Sequence, residues 1–333
     1  WDIPLLGGYR PVFLSFTRSV GSVLQKEKPD AIIVCGWNAL SNWRAIWFTA
    51  RKKIPFFVYG ENPLNQEIPK KSILQPLRKF ILRFLFRKAA GFFYIGEENR
   101  KFYEYFGAPR EKLFFTPYAV ENERFVADGP STRLRASNVR NKLRISEDAV
   151  VILFVGKLVP KKCPIDLLCA YKILTTHHSP LTTHLVFVGD GPLRSSLEKY
   201  SVEHDLKNVH FSGFMNQTEL PAYYAASDIF VLPSGAGETW GLVVNEAMAA
   251  GLPVIASDMV GCVPDLIRHG RNGYVFPAGD VGELARVLAE LIGNPSLRKK
   301  FGEESFKIIQ NYSYERDIEG MSKAFRKSGL LKI

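Results

Sequence analysis

Ile229-Phe230-Val231-Leu232-Pro233-Ser234-Gly235-Ala236-Gly237-Glu238-Thr239-Trp240-Gly241-Leu242-Val243-Val244-Asn245-Glu246-Ala247-Met248-Ala249-Ala250-Gly251-Leu252-Pro253 reads as a strand, a glycine-rich loop and a helix. The apolar run Ile229–Leu232 suits a strand covered on both faces. Gly235, Gly237 and Gly241 give a loop whose backbone can approach a ligand closely. A helix is expected from about Gly241 to Ala250, stopped by Gly251 and Pro253. Its first N–H groups would point into a cleft and suit a phosphate or sugar oxygen. Glu238 on the loop and Glu246 inside the helix place two carboxylates at different depths of one site. The plainer alternative is a solvated loop glutamate and a capping one.

Outward from this stretch, the same alternation recurs. Apolar runs are expected as strands at Ala31–Cys35, Phe56–Tyr59, Gly91–Ile95 and Leu113–Thr116. A second set follows at Val150–Val155, His184–Val188, Val209–Ser212, Ile229–Leu232, Val254–Ser257 and Tyr274–Phe276. Strand–helix alternation implies α/β units and doubly wound parallel sheets. Six strands complete the second sheet, whereas four leave the first looking as if its opening strands were missing. The chain's abrupt opening at Trp1-Asp2-Ile3-Pro4-Leu5-Leu6 leads to the expectation of a truncated sequence. Residues 1–125 are read as a first domain, 126–312 as a second, and 313–333 as a helical segment expected to pack back on the first.

In such proteins a ligand lies at the carboxyl ends of the strands, so the loops there hold the candidate chemistry. Gly156-Lys157-Leu158-Val159-Pro160-Lys161-Lys162-Cys163-Pro164 follows one strand, and Lys157 and Lys162 can converge on an anion as point charges. Gly189-Asp190-Gly191-Pro192 holds half of a dinucleotide fingerprint. The 333 residues are 46% hydrophobic and 23% charged, which excludes disorder and fibre, and no run of eighteen apolar residues is present to span a bilayer. Cys35, Cys163, Cys169 and Cys262 lack paired metal-type spacing, which favours a reducing cytosol. The net charge of +11 sits mostly in residues 1–125, with 20 Lys and Arg against 11 Asp and Glu, so one half is expected to face something anionic.

Taken together, these motifs resemble the retaining glycosyltransferases of family 4. Glu238–Glu246 matches that family's E-x7-E motif, with Gly241 and Leu242 inside it and Glu-Ala-Met-Ala-Ala-Gly-Leu-Pro-Val-Ile following. Val155–Lys162 resembles its basic diphosphate loop. Gly189–Leu193, Val209–Phe214, Ala226–Ile229 and Gly270–Gly273 fall in the family's order, and Tyr118 through Phe125 resembles its interdomain signature. The match is specific over 113–312 and only topological over 1–112. It implies a GT-B fold of two Rossmann-like domains facing across a cleft, and transfer of a sugar from a UDP- or GDP-sugar to a glycan or glycolipid in polysaccharide or lipopolysaccharide synthesis. The resemblance gives Lys157 and Lys162 the donor diphosphate, Glu246 the ribose hydroxyls, and Glu238 the reacting sugar, as positioning group or covalent nucleophile. Gly156, Gly213, Phe214, Gly241, Leu242 and Val243 would complete the donor site, with no metal and no cofactor.

The sequence also departs from that family. All six histidines lie in the second half, so Glu61 and Asn62 stand where many relatives carry a cleft histidine. Cys262 and Asp265 replace a more usual Gly and Glu. His177 and His178 adjoin a helix end and read as solvated or capping rather than metal ligands. Residues 70–88 combine Arg78, Lys79, Arg83 and Arg87 with an apolar face of Leu74, Leu77, Ile81, Phe84 and Leu85. Such a helix suits either an anionic membrane surface or ordinary packing on a sheet. A cytoplasmic protein, peripheral at the inner face of the membrane and without nucleic-acid partners, is expected. The rival readings are a sugar-nucleotide epimerase of the same fold and a non-catalytic nucleotide-sugar-binding protein.

Overall fold

A computed structural model describes residues 20–37, 39–67, 75–126, 130–176 and 182–331. The Trp1–Leu6 opening, Lys70, Lys71, Leu74, His177 and His178 lie outside the described residues. Among the described residues ten strands form, namely β1 (Ile32–Cys35), β2 (Phe56–Tyr59), β3 (Gly91–Tyr94), β4 (Leu113–Phe115), β5 (Val150–Val155), β6 (Thr183–Val188), β7 (Val209–Gly213), β8 (Ile229–Leu232), β9 (Val254–Ser257) and β10 (Gly273–Phe276). They build two parallel sheets, one in the order β1-β2-β3-β4 and one in the order β10-β9-β8-β5-β6-β7.

Every side chain of β5 is buried, and alternate residues serve opposite faces. Val151, Leu153 and Val155 join one apolar cluster while Val150, Ile152 and Phe154 join the other. This is why the run is apolar at every position rather than at every second one. The first sheet repeats the arrangement more thinly. Val58 and Phe92 face the helices Leu40–Lys52, Gln75–Lys88 and Glu97–Tyr105, while Phe57 and Phe93 face the opposite way.

That second face is covered from the far end of the chain. The helix Tyr314–Lys327 lays Ala324, Met321 and Phe325 against Phe57, Phe93 and Phe114. The chain crosses in the other direction after β4, where Tyr118, Val120 and Phe125 pack with the second domain's core. Two crossings thus tie the sheets together. Among the described residues no helix is long and apolar enough to cross a membrane.

The helix Gln75–Lys88 does two things at once. Leu82, Leu85 and Phe86 are buried against the first sheet, while Leu77, Phe80, Ile81 and Phe84 stay exposed. The stripe expected from Leu77 through Leu85 is therefore split, because apolar residues surround most of the helix and the sheet takes only one side. Of the expected basic face, Arg78 pairs with Glu67 and Lys79 lies 3.9 Å above the Tyr105 ring. Arg83, Arg87 and Lys88 point to solvent.

Gly320 sits where the helix Tyr314–Lys327 meets β4, and a Cβ there would stand 1.9 Å from the Phe115 carbonyl oxygen. Gly320→Ala should therefore push the helix off the sheet and cost about 1–3 kcal/mol, the scale of an overpacked core. Gly293→Ala is the control, since nothing lies within 4 Å of its added methyl. Thermal unfolding of the two variants checks this: a lowered midpoint is expected for the first and an unchanged or slightly raised one for the second.

Candidate active site

In the second sheet, chain order reverses where β5 lies between β8 and β6. Such a switch point opens a crevice outside the carboxyl ends of the strands, because the loops leaving the two central strands turn apart. Here it sets the loop after β5 (Gly156–Pro164) beside the loop after β8 (Pro233–Gly241), and Gly235 N–H donates to the Lys161 carbonyl at 2.9 Å.

The two loops meet in a buried ion pair. Lys162 Nζ bonds Glu238 Oε2, with the side chains only 13% and 10% exposed. The same carboxylate oxygen accepts from the Ser234 hydroxyl at 3.3 Å. Two charges so far from water need each other, and removing one partner from such a pair typically costs about 3–5 kcal/mol. Lys157, on the same loop, is exposed.

Glu246 is placed differently. It is 8% exposed and accepts from the Tyr224 hydroxyl at 2.7 Å. Burial pushes its carboxyl above the ordinary value, opposed by the Tyr224 hydrogen bond and by the Arg124 charge. Neither glutamate is the solvated or capping residue of the plainer reading. Glu246 lies within the helix Leu242–Ala249, which the chain enters from the Glu238 loop through Gly241 in the left-handed region at φ +93. First-turn N–H groups of a helix have no intrahelical acceptor, so Leu242 and Val243 present donors beside Glu238. Leu242 is 40% exposed.

The remaining sequence candidates scatter. Gly156 N–H donates to the Val188 carbonyl at 2.9 Å, and Gly189 N–H to the Gly213 carbonyl at 2.8 Å, which carries the pairing of β5, β6 and β7 past the strand ends. Phe214 extends from there almost fully exposed. Glu61 is exposed on the first domain, and the carbonyl of Asn62 accepts from Asn99 Nδ2 at 3.1 Å. The four described histidines have partners of their own, and His204 Nδ1 lies 3.3 Å from Lys172 Nζ. His184 and His210 stack with ring nitrogens 3.0 Å apart, burial and the neighbouring ring push His184 down to about 4, and His269 accepts from the Val275 N–H. Among the described residues no group of three or more His, Cys, Asp or Glu could hold a metal ion.

The first domain reaches the same loops through residues that no motif marks. Gln66, in the 3₁₀ turn Leu64–Gln66, donates to the Glu238 and Met259 carbonyls at 3.0 Å each. Asp265 accepts from the Glu97 N–H at 3.0 Å, at the start of the helix Glu97–Tyr105. Gly96 permits this approach, since a Cβ there would lie 2.4 Å from the Trp240 ring and 2.7 Å from Asp265. Trp240 Nε1 in turn donates to Asn245 Oδ1 at 2.9 Å, and Asn245 donates to the Tyr118 carbonyl at 2.9 Å.

The chain and its fold have counterparts among known proteins. The family described as glycosyl transferases group 1 matches residues 136–308. A D-inositol 3-phosphate glycosyltransferase of Streptomyces bingchenggensis is 32% identical over 297 residues, covering 84% of this chain and 61% of that protein. A GDP-mannose-dependent alpha-(1-6)-phosphatidylinositol monomannoside mannosyltransferase of Mycobacterium tuberculosis is 34% identical over 193 residues, or 55% of this chain and 48% of its own. The chain thus spans about half to three fifths of the length of the curated relatives it matches. Among solved structures, Anabaena HepE in complex with UDP and glucose superposes with a TM-score of 0.73 at 20% identity, over 95% of this chain and 84% of that one. A glycosyltransferase from Rickettsia africae gives 0.75 at 14% identity, over 96% and 84%. The two domains form a GT-B fold.

The domain seam carries its own pH dependence. Burial pushes the Asp265 carboxyl up to about 6; the Glu97 N–H works against this, and the Glu97 and Glu98 charges add to it. A carboxyl raised by folding stabilises the folded state below its unfolded value and loses that contribution as pH rises. Asp265→Asn cannot ionise and keeps one acceptor for Glu97. Relative to wild type, the variant should therefore gain about 2–3 kcal/mol between pH 4 and pH 7. Urea midpoints at the two pH values check this, and a pH-independent difference would contradict it.

Proposed function

Because the chain belongs to the glycosyl transferases group 1 family, we propose that it transfers a sugar, with retention of configuration, from a nucleoside-diphosphate donor to a glycan or glycolipid acceptor. The observation that carries this reading is the buried pair of Lys162 and Glu238 at the switch point, beside the start of the helix Leu242–Ala249. A donor diphosphate entering there competes with Glu238 for Lys162. The carboxylate is then free to accept from hydroxyls of the transferred sugar. Lys157, Lys162 and the Leu242 and Val243 N–H groups receive the charge that develops on the leaving diphosphate, so the reaction needs no divalent ion. Glu246, deeper in the domain, accepts from the ribose hydroxyls, and Gly156, Gly213 and Phe214 line the rest of the donor site.

In this mechanism the bond between the anomeric carbon and the phosphate oxygen breaks, and its electron pair leaves with the diphosphate. The acceptor hydroxyl attacks from the same face and passes its proton to the departing phosphate oxygen. Glu238 positions the sugar. Closure of the first domain over the donor excludes water and limits hydrolysis. Glu61 and Asn62, on the loop after β2, lie on the acceptor side. An epimerase of the same fold would need acid and base groups at the reacting carbon, and the family matched over residues 136–308 is one of glycosyl transferases.

The acceptor is proposed to be reached at an anionic membrane surface. Leu77, Phe80 and Phe84 are 56%, 71% and 63% exposed on the helix Gln75–Lys88, with Arg83, Arg87 and Lys88 beside them. Apolar residues flanked by cations are the chemistry of an interfacial helix. Vesicles rich in acidic lipid should retain the protein at low salt, and Arg83→Gln with Arg87→Gln should release it, each cation contributing about 1 kcal/mol. Equal retention on neutral vesicles would contradict this surface.

Steady-state kinetics with labelled donors tests the carboxylates by role. Glu238→Gln should lower turnover by roughly 10²–10³ with little change in donor affinity, the scale of one lost transition-state contact. Glu246→Gln should instead raise the Michaelis constant more than it lowers turnover. Activity should persist in excess EDTA. Identical behaviour of the two variants would overturn the assignment.

A further inference from the structure

Gln66 belongs to the first domain, yet three of the four hydrogen-bonding valences of its amide are used on the second. Its Nε2 donates to the carbonyls of Glu238 and Met259 at 3.0 Å each, and its Oε1 accepts from the Gly237 N–H at 3.2 Å. A primary amide offers two donors and two acceptor lone pairs in one plane. Here that plane stitches two loops of the second domain together at residues 237–238 and 259. The Glu238 carbonyl has one further donor, the Gly261 N–H at 3.0 Å, from its own domain. The main chain of Glu238 is therefore fixed half from within its domain and half from across the seam.

The base of this contact is braced. Asn65 N–H donates to Glu98 Oε2 at 2.9 Å, and Asn99 Nδ2 donates to the Asn62 carbonyl at 3.1 Å. Both partners lie on the helix Glu97–Tyr105, whose own first N–H holds Asp265. The turn Leu64–Gln66 and this helix thus approach the second domain as one unit, and only when the domains are in register can Gln66 meet all three groups.

We propose that Gln66 is a positioning residue for sugar transfer: by holding the main chain of Gly237 and Glu238, it sets the direction of the Glu238 carboxylate whenever the domains meet. This rests on the transfer reading above. It follows that domain closure is reported directly at the group that positions the reacting sugar. Without Gln66 the Glu238 carbonyl keeps only the Gly261 contact, and Glu238 can pair with Lys162 at angles that do not serve the sugar.

The experiment has two arms on wild type, Gln66→Ala and Gln66→Glu. In the first, amide exchange at Gly237 is followed by NMR in the free protein. Protection is expected in wild type and its loss in both variants, with the thermal midpoint little changed. In the second, turnover and donor affinity are measured separately, with UDP and GDP as calorimetric probes of binding. Turnover should fall roughly 10–100-fold, as small misplacements of reacting groups do. Diphosphate affinity should change less than about threefold, since an interaction made only in the transition state is lost. Gln66→Glu, which turns an oxygen toward two carbonyls, should be no better than alanine. An unprotected Gly237 amide in wild type would overturn the contact, and wild-type turnover in Gln66→Ala would overturn the role. A protected amide in a wild type that turns over none of the donors would sink the transfer reading itself, and this role with it.

Discussion

The buried pair of Lys162 and Glu238 is the interaction around which this fold is organised. Each charge is far too costly to bury alone, so the loops that carry them must stay together. The order of strands makes that arrangement available: β5 and β8 are neighbours at the point where the sheet reverses, so loops distant in the chain leave it side by side. Glycine at 235, 237 and 241 then lets the second loop fold down onto the first. A preformed but exchangeable ion pair suits a site that receives a polyanion, because the incoming charge replaces one that the lysine already has.

The first domain completes this site through its seam. Gly96 lets the start of a helix press against Trp240 and Asp265, and the Tyr118, Trp240 and Tyr312 rings pack in sequence along the crossing chain. The helix Tyr314–Lys327 returns to cover the open face of the first sheet, so the two domains share an element as well as a boundary.

The sheets were legible in the sequence because strands buried on both faces are apolar at every position, as in Val150–Val155. The loop that bears Glu238 and the loop that bears Lys162 were marked too, since glycines and lysines at strand ends are local signals. Partnership was not marked. Gln66 lies in a polar stretch that reads as ordinary loop, and its partners are 171 to 193 residues away. Tyr224 as the partner of Glu246, and the Glu97 N–H as that of Asp265, are likewise matters of three-dimensional approach. The helix Gln75–Lys88 shows a different limit: with Leu77, Phe80, Ile81, Leu82, Phe84, Leu85 and Phe86 around most of its circumference, periodicity alone does not say which side the sheet takes.

Cleavage of a nucleoside-diphosphate sugar with retention is the reaction proposed for this crevice. It can be tested without knowing the acceptor, because water can slowly take the acceptor's place. Proton NMR of the protein incubated with a panel of UDP- and GDP-sugars resolves the first-formed anomer of the released sugar before it mutarotates. Release from at least one donor is expected, with the anomeric configuration of that donor kept. Release of the opposite anomer first, or no release from any donor, would contradict it.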